Sequence, residues 1–203
     1  MKKPHKEAFG RLYTTADSQQ GFFTTQQALA AGFAENTHPY HVQAGNWIRE
    51  YRGIYRLAHF PQPERPDLML WSLWSRNRRG IIEGVYSHAT ALSLYDLSDL
   101  MPAKLHMTVP KHFRRNSEIP KILVLHYADI AAADTESNQG VKVTRPMRTL
   151  TDLLAEGKTS QEWIEQAGRQ AFQRGLITRA QIEKAPLPRE QKTMLLNLVR
   201  KAA

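Results

Sequence analysis

Polar and cationic side chains that could contact a nucleic acid lie close together between residues 24 and 56. In a helix that buries Val42, the opposite face carries Thr37, Tyr40 and Ala44, with His41 and Gln43 at its flanks. Phenol, imidazole and amide groups can exchange hydrogen bonds with base edges, and the arginines that follow suit a phosphate backbone. The candidate DNA contacts in this segment are Thr24, Thr25, Thr37, Tyr40, His41, Gln43, Arg49, Arg52 and Arg56.

A second basic group lies farther along the chain, at Lys111, Arg114 and Arg115. It follows Pro110 and a strand-like run, so it is predicted to form a loop. The group could hold phosphate, with the Phe113 ring available for stacking. A solvated charged loop without a ligand explains the same residues, and both interpretations stay open at this point.

Histidine is abundant, with eight residues, and cysteine is absent. Thiolate chemistry, disulfides and zinc fingers are therefore excluded. His38 and His41 form the only close pair, and two imidazoles spaced i, i+3 without a third ligand are a weak metal motif. We predict no metal and no other cofactor, and we expect His88 and His106 to be structural.

Hydrolysis of a nucleic acid would need acidic side chains grouped around a metal ion. The acidic residues considered for such a site show no recognised nuclease spacing: Glu83, Asp96, Asp99 and Asp152. The sequence also lacks a P-loop, a dinucleotide-binding fingerprint and a nucleophile elbow. No catalytic residue is predicted, and the protein is not expected to be an enzyme.

The net charge of +9 and the pI of about 9.9 favour a polyanionic partner. Lys and Arg exceed Asp and Glu in three segments: seven against four in residues 1–58, four against none in 102–116, and twelve against six in 141–203. No apolar run is long enough to span a bilayer, and no apolar segment follows the N-terminus. We therefore expect a cytoplasmic protein without membrane attachment.

Two short helices are predicted before the polar segment. Apolar residues share one helical face in residues 6–16, which predicts the first helix. Thr24 and Gln27 have the spacing of a capping box, which starts a second helix. Gly32 then tolerates the positive φ that often ends a helix.

The third helix and a hairpin follow within a few residues. Asn36 or Thr37 can cap this helix, and Pro39 lies in its first turn, where a missing N–H costs nothing. Aromatic and β-branched residues on both sides of Arg52-Gly53 predict a β-hairpin. Three helices and a hairpin in this order are typical of a winged helix-turn-helix, which we assign to residues 1–60.

Three prolines in residues 59–66 predict a domain junction. The remaining residues, 66–203, contain alternating helix and strand patterns. Helices are predicted over 68–76, after Ser87, at Pro146, after Thr159 and Thr178, and over 190–201, where Leu195, Leu196 and Val199 face inward; strands are predicted at 104–109, 122–127 and 141–144. The predicted fold class is α+β, with the winged helix followed by a larger mixed α/β domain.

Several of these segments resemble one protein family. They are GFFTT at 21–25, RGIYRL at 52–57, YSHATALSLYDL at 86–97 with HMTVP at 106–110, and TRPMRTLTDLL at 144–154. They resemble AbiEi-type antitoxins, the transcriptional regulators of type IV (abortive infection) toxin-antitoxin systems, and the resemblance runs from about residue 11 to residue 176.

The resemblance implies a winged helix that represses its own operon at operator repeats in double-stranded DNA. It also implies that the C-terminal domain neutralises a nucleotidyltransferase toxin without a stable complex. The candidate DNA contacts match the family's helix and wing by position, and no catalytic residue can be transferred. Two other classes of protein stay open: a metal-dependent nuclease, and an adaptor that uses the winged helix to dock a protein.

Overall fold

The computed structural model describes residues 3–202. The chain divides into two compact units. The first unit runs to Glu83 and includes Gln139–Val141, and the second contains Gly84–Asn138 and resumes at Lys142. The first unit thus continues past the predicted junction at residues 59–66, so the structure divides the chain later than the prolines suggested.

The first unit combines four α-helices with a small antiparallel sheet. Its elements are α1 (Lys3–Asp17), β1 (Phe22–Thr24), α2 (Thr25–Ala31), a 3-10 turn (Glu35–Thr37), α3 (His38–Gln43), β2 (Trp47–Tyr51), β3 (Ile54–Leu57) and α4 (Pro66–Trp74). The three strands lie in the order β1-β3-β2. The α4 helix packs on β1 and β3, which explains why the unit extends beyond the prolines.

Local sequence explains how α2 begins and ends. The Thr24 hydroxyl accepts from the Gln27 N–H, and the Gln27 side chain accepts from the Thr24 N–H, so the predicted capping box is confirmed. Gly32 ends the helix at φ +106°, as predicted. The Arg11 guanidinium donates to the Ala31 carbonyl at 2.8 Å, which ties α1 to the end of α2.

The start of α3 differs from the prediction. Thr37 is in the helical region, in the 3-10 turn before α3, and its hydroxyl donates to the Ala34 carbonyl at 2.6 Å. It therefore does not cap α3 through its side chain. Pro39 lies in the first turn, as predicted.

The second unit is built on a five-stranded mixed sheet. Its elements are β4 (Val85–Tyr86), α5 (His88–Leu94), β5 (Leu105–Val109), β6 (Leu123–Tyr127), a 3-10 turn (Ala132–Asp134), β7 (Thr135–Asn138), β8 (Val141–Thr144), α6 (Pro146–Glu156), α7 (Gln161–Gln173), α8 (Arg179–Lys184) and α9 (Arg189–Ala202). The strand order is β6-β5-β4-β8-β7. β4 pairs antiparallel with β5 and parallel with β8, and β5 pairs parallel with β6.

The predicted α+β class is correct, and most predicted helices and strands of this unit are present. Thr178 and Gln181 form a capping box at α8, whereas α7 is preceded by Ser160 and not by Thr159. β4 and β7 were not predicted, because β4 has only two residues and β7 (Thr135–Asn138) contains no apolar residue. Leu195 of α9 is buried, and the side chain of Val199 lies outside the described residues. Within residues 3–202, no helix is both long and apolar enough to cross a membrane.

Candidate nucleic-acid interface

The α3 helix presents two chemically different faces. Val42 packs against the core of the first unit, as predicted, and His38 is buried beside it. On the opposite face, Tyr40 is 65% exposed, and Gln43 at the flank of that face is also exposed. A phenol and a carboxamide on a short solvent-facing helix can both donate and accept hydrogen bonds at base edges.

His41 is not part of the exposed face, which corrects the sequence prediction. Its side chain is buried, and its ring stacks on Trp47 with centroids 4.5 Å apart and an interplanar angle of 22°. The Phe33 ring meets His41 edge-on at 5.1 Å. His41 therefore packs within the first unit and is withdrawn as a DNA contact. His38 is also buried, with its ring edge-on to the rings of Trp47 and Tyr55.

The β2–β3 hairpin carries two exposed arginines and one that is held within the protein. Arg49 lies on β2 and Arg52 in the turn, where Gly53 has φ +70°. Arg56 differs, because its Nε donates to the Glu50 carboxylate at 2.7 Å and its side chain is 13% exposed. Arg56 is thus withdrawn as a phosphate contact, since its guanidinium already has a carboxylate partner.

The three threonines among the candidates do not share one environment. Thr24 is buried and serves as the N-cap of α2, so it is also withdrawn. Thr25 is half-buried and donates its backbone N–H to the Gly53 carbonyl at 3.0 Å, next to the hairpin turn. Thr37 is half-buried in the 3-10 turn before α3.

In the second unit, the basic loop lines a cavity of about 320 Å³. Its walls are Phe113, Arg114, Arg115, Ile119 and Tyr127. Phe113 is buried, and the Arg115 guanidinium carbon lies 5.6 Å from the centre of its ring. The Arg114 guanidinium donates to the carbonyls of Lys111 and Phe113, so the loop holds this arginine in place. Lys111 itself is exposed.

A histidine cluster that the sequence did not predict lies in the second unit. His88, His106 and His126 come from three different elements, and the rings of His88 and His126 stack 3.6 Å apart at 11°. The His106 Nδ1 lies 3.0 Å from the His126 Nε2. On the other side, the Thr108 hydroxyl donates to Ser87 Oγ at 2.7 Å, and Ser87 Oγ lies 2.9 Å from the His88 Nδ1.

Burial disfavours the charged forms of these three imidazoles. Desolvation, with help from the neighbouring His126, lowers the pKa of His88 from 6.5 to about 3. Desolvation also lowers the pKa of His106 and of His126, and the nearby Glu156 carboxylate opposes these shifts only in part.

The described residues contain no group of three or more His, Asp or Glu side chains that could hold a metal ion. In the histidine cluster, the rings of His88 and His126 are nearly parallel, and the His106 Nδ1 and the His126 Nε2 lie within hydrogen-bonding distance of each other.

The first unit therefore presents a short exposed polar helix beside a basic hairpin, and this arrangement is consistent with a helix-turn-helix unit. Residues 11–58 match the family model described as "Transcriptional regulator, AbiEi antitoxin". The match confirms the family resemblance of this N-terminal segment. It covers α3 and the whole hairpin, and the family is one of regulators and not of enzymes.

Two further comparisons concern whole chains. No curated protein sequence matches the chain. Among solved structures, the chain is similar to the RV2827C protein from Mycobacterium tuberculosis, with a TM-score of 0.47 and 16% sequence identity. That similarity covers 97% of this chain and 82% of the other.

Proposed function

We propose that the first unit is a winged helix-turn-helix that binds operator DNA and represses transcription of its own operon. The observation that carries the proposal is the exposed face of α3, with Tyr40 and Gln43 turned to solvent while His38 and His41 anchor the helix. The element order up to β3 and the strand order β1-β3-β2 support it, because a recognition helix followed by a two-stranded wing needs this connectivity.

In this proposal the helix and the wing have different tasks. Tyr40 and Gln43 meet base edges in the major groove, where hydrogen-bond patterns distinguish the base pairs. Arg49 and Arg52 meet phosphates or the minor groove, where contacts hold the protein in register and add affinity for any sequence. Thr25 and Thr37 flank the two elements and add phosphate contacts.

The experiment compares operator with mixed-sequence DNA. Selection from a random duplex pool yields the operator, and affinities are then measured for the selected and a mixed-sequence duplex over a range of salt. Tyr40→Ala is expected to lower the ratio of the two affinities by about 5- to 150-fold, the equivalent of one base contact of about 1–3 kcal/mol. Arg52→Ala should weaken both affinities alike and reduce the salt slope by about 0.9.

Two results would contradict the assignment. An unchanged affinity ratio in Tyr40→Ala would show that α3 does not read the sequence. Absence of salt-dependent DNA binding by the full chain would instead favour a module that docks a protein through the same face. Phe33→Leu, which alters the core behind α3, serves as a control for indirect loss of folding.

The basic loop of the second unit is proposed as an additional phosphate contact. Replacing Lys111, Arg114 and Arg115 together by alanine should reduce the salt slope by up to about 0.9 for each phosphate that the loop no longer neutralises. The affinity ratio between operator and mixed sequence should stay the same. An unchanged slope would leave the loop as a solvated charged segment.

The family resemblance also supports an antitoxin role. We propose that the protein acts in the cytoplasm as the antitoxin of a type IV system, and that it neutralises a nucleotidyltransferase toxin without a stable complex. A nucleotidyltransferase gene beside the coding sequence is the expected arrangement. Co-expression should restore growth that this enzyme inhibits, and a truncated chain that retains only the first unit should not.

A further inference from the structure

A tight basic turn after α4 is closed by one asparagine. We call residues 76–82 the Asn77 turn. The Asn77 Oδ1 accepts from the backbone N–H of Arg79 at 2.9 Å and of Ile81 at 3.1 Å. The Asn77 N–H donates to the Ile81 carbonyl at 2.8 Å, and Arg76 and Ile82 form a β-bridge at the base. These bonds fix the backbone of the turn before any ligand binds.

The Asn77 turn is attached to the elements that carry the proposed DNA contacts. The Arg76 guanidinium donates to the Gly53 carbonyl at 3.3 Å, at the tip of the β2–β3 hairpin. The Gln26 side chain, in the first turn of α2, donates to the Arg78 carbonyl at 3.3 Å. Because the same Gly53 carbonyl also accepts from the Thr25 N–H, the hairpin tip, α2 and the turn meet at one place in the first unit.

Arg78 and Arg79 are exposed at the apex of this turn. Their backbone is held by hydrogen bonds to Asn77 and Gln26, and Arg76 of the same turn contacts the hairpin that carries Arg52. Two arginines on a fixed backbone lose less conformational freedom on binding than two on a mobile loop, and guanidinium groups suit phosphate geometry. The residues 11–58 that match the regulator family do not include them.

We infer that Arg78 and Arg79 form a second phosphate clamp, which contacts the backbone of duplex DNA beside the hairpin tip. The inference rests on the proposed function, because it assigns a further contact to the same DNA-bound surface. It extends the binding surface of the first unit beyond the hairpin, to a segment that follows α4. The clamp adds affinity without reading the sequence, because phosphates are the same at every base pair.

The test uses the full chain and the duplexes described above, one selected from a random pool and one of mixed sequence. Arg78→Ala with Arg79→Ala should make the plot of log affinity against log salt shallower by about 1.8, which is 0.9 for each phosphate contact. Both duplexes should lose the same factor in affinity. Arg78→Lys with Arg79→Lys keeps the charge and should keep most of the slope.

Three outcomes would overturn the clamp. The first is an unchanged slope in the double alanine variant while Arg52→Ala still lowers it, which leaves the hairpin assignment intact. The second is a changed affinity ratio between the two duplexes, which would assign base reading to these arginines. The third is wild-type protein that binds neither duplex at low salt, which would refute the proposed function itself. Thermal denaturation of each variant establishes that folding is preserved.

Discussion

Acidification tests the histidine cluster of the second unit directly. In the folded protein the pKa of His88 is about 3, against 6.5 in an unfolded chain. As the pH falls below 6.5, the unfolded chain therefore takes up this proton and the folded chain does not. The contribution of uncharged His88 to the free energy of unfolding is therefore fully present above pH 6.5 and is lost as the pH falls toward 3.

The size of the effect follows from the same two values. At about pH 5, His88 alone should lower the free energy of unfolding by about 2 kcal/mol relative to pH 7, since each pH unit between the two pKa values contributes about 1.4 kcal/mol. His106 and His126 act in the same direction, because their pKa values are also lowered. Their contribution adds to that of His88.

Urea unfolding, followed through amide NMR signals of the second unit at several pH values, measures this dependence. His126→Phe keeps a flat ring against His88 and removes one titrating group, so its pH dependence should be shallower. The imidazole signals of His88 should also show no protonation between pH 5 and 8. Titration of His88 near its ordinary pKa of 6.5 would refute the burial argument.

Three further predictions concern the first unit. His41→Ala should lower the stability by about 3 kcal/mol, as for other large buried rings, and leave the operator preference of the folded fraction unchanged. Arg56→Ala should lower the free energy of unfolding by about 1 kcal/mol, because it breaks a partly buried ion pair. It should not alter the salt slope of DNA binding, which DNA titrations at two salt concentrations check. A fragment that ends at Glu83 should show cooperative unfolding by circular dichroism, whereas one that ends at Pro61 lacks α4 and should not.

Helices and turns whose ends are marked by capping residues or glycine were predicted well from the sequence. The capping box at Thr24, the helix start at Thr178 and the left-handed Gly32 need only residues within one helical turn. The hairpin at residues 47–57 likewise depends on neighbouring residues and an Arg-Gly turn. Such features are readable because the interactions that stabilise them lie close together in the chain.

The environment of His41 was not readable in this way. A histidine can be either a base contact or a buried ring. Its environment here depends on Phe33, in the connection after α2, and on Trp47 of β2, which pack against it. The predicted helix face was nearly correct, since Val42 packs inward and Tyr40 outward. His41 lies 100° from Val42 on the buried side, and a small error in the position of the face was enough to misplace it.

The histidine cluster depends on strand pairing. β5 and β6 run parallel with His106 opposite Val124, so His126 lies two residues farther along and on the same face of the sheet. The sequence alone shows that each of these two predicted strands carries one histidine. The parallel register that brings the two together is set by the sheet as a whole.

Exposure in the free protein separates polar residues that can bind from those that stabilise. A side chain that already exchanges its hydrogen bonds inside the protein, such as Arg56 with Glu50, must break them before it can meet a phosphate, and this cost opposes binding. Tyr40, Arg52, Arg78 and Arg79 are exposed, so in the proposed complex DNA would replace water and not protein at their polar atoms. The same residue types are present on both sides of this division, and burial in the folded chain therefore decides which of them can act as contacts.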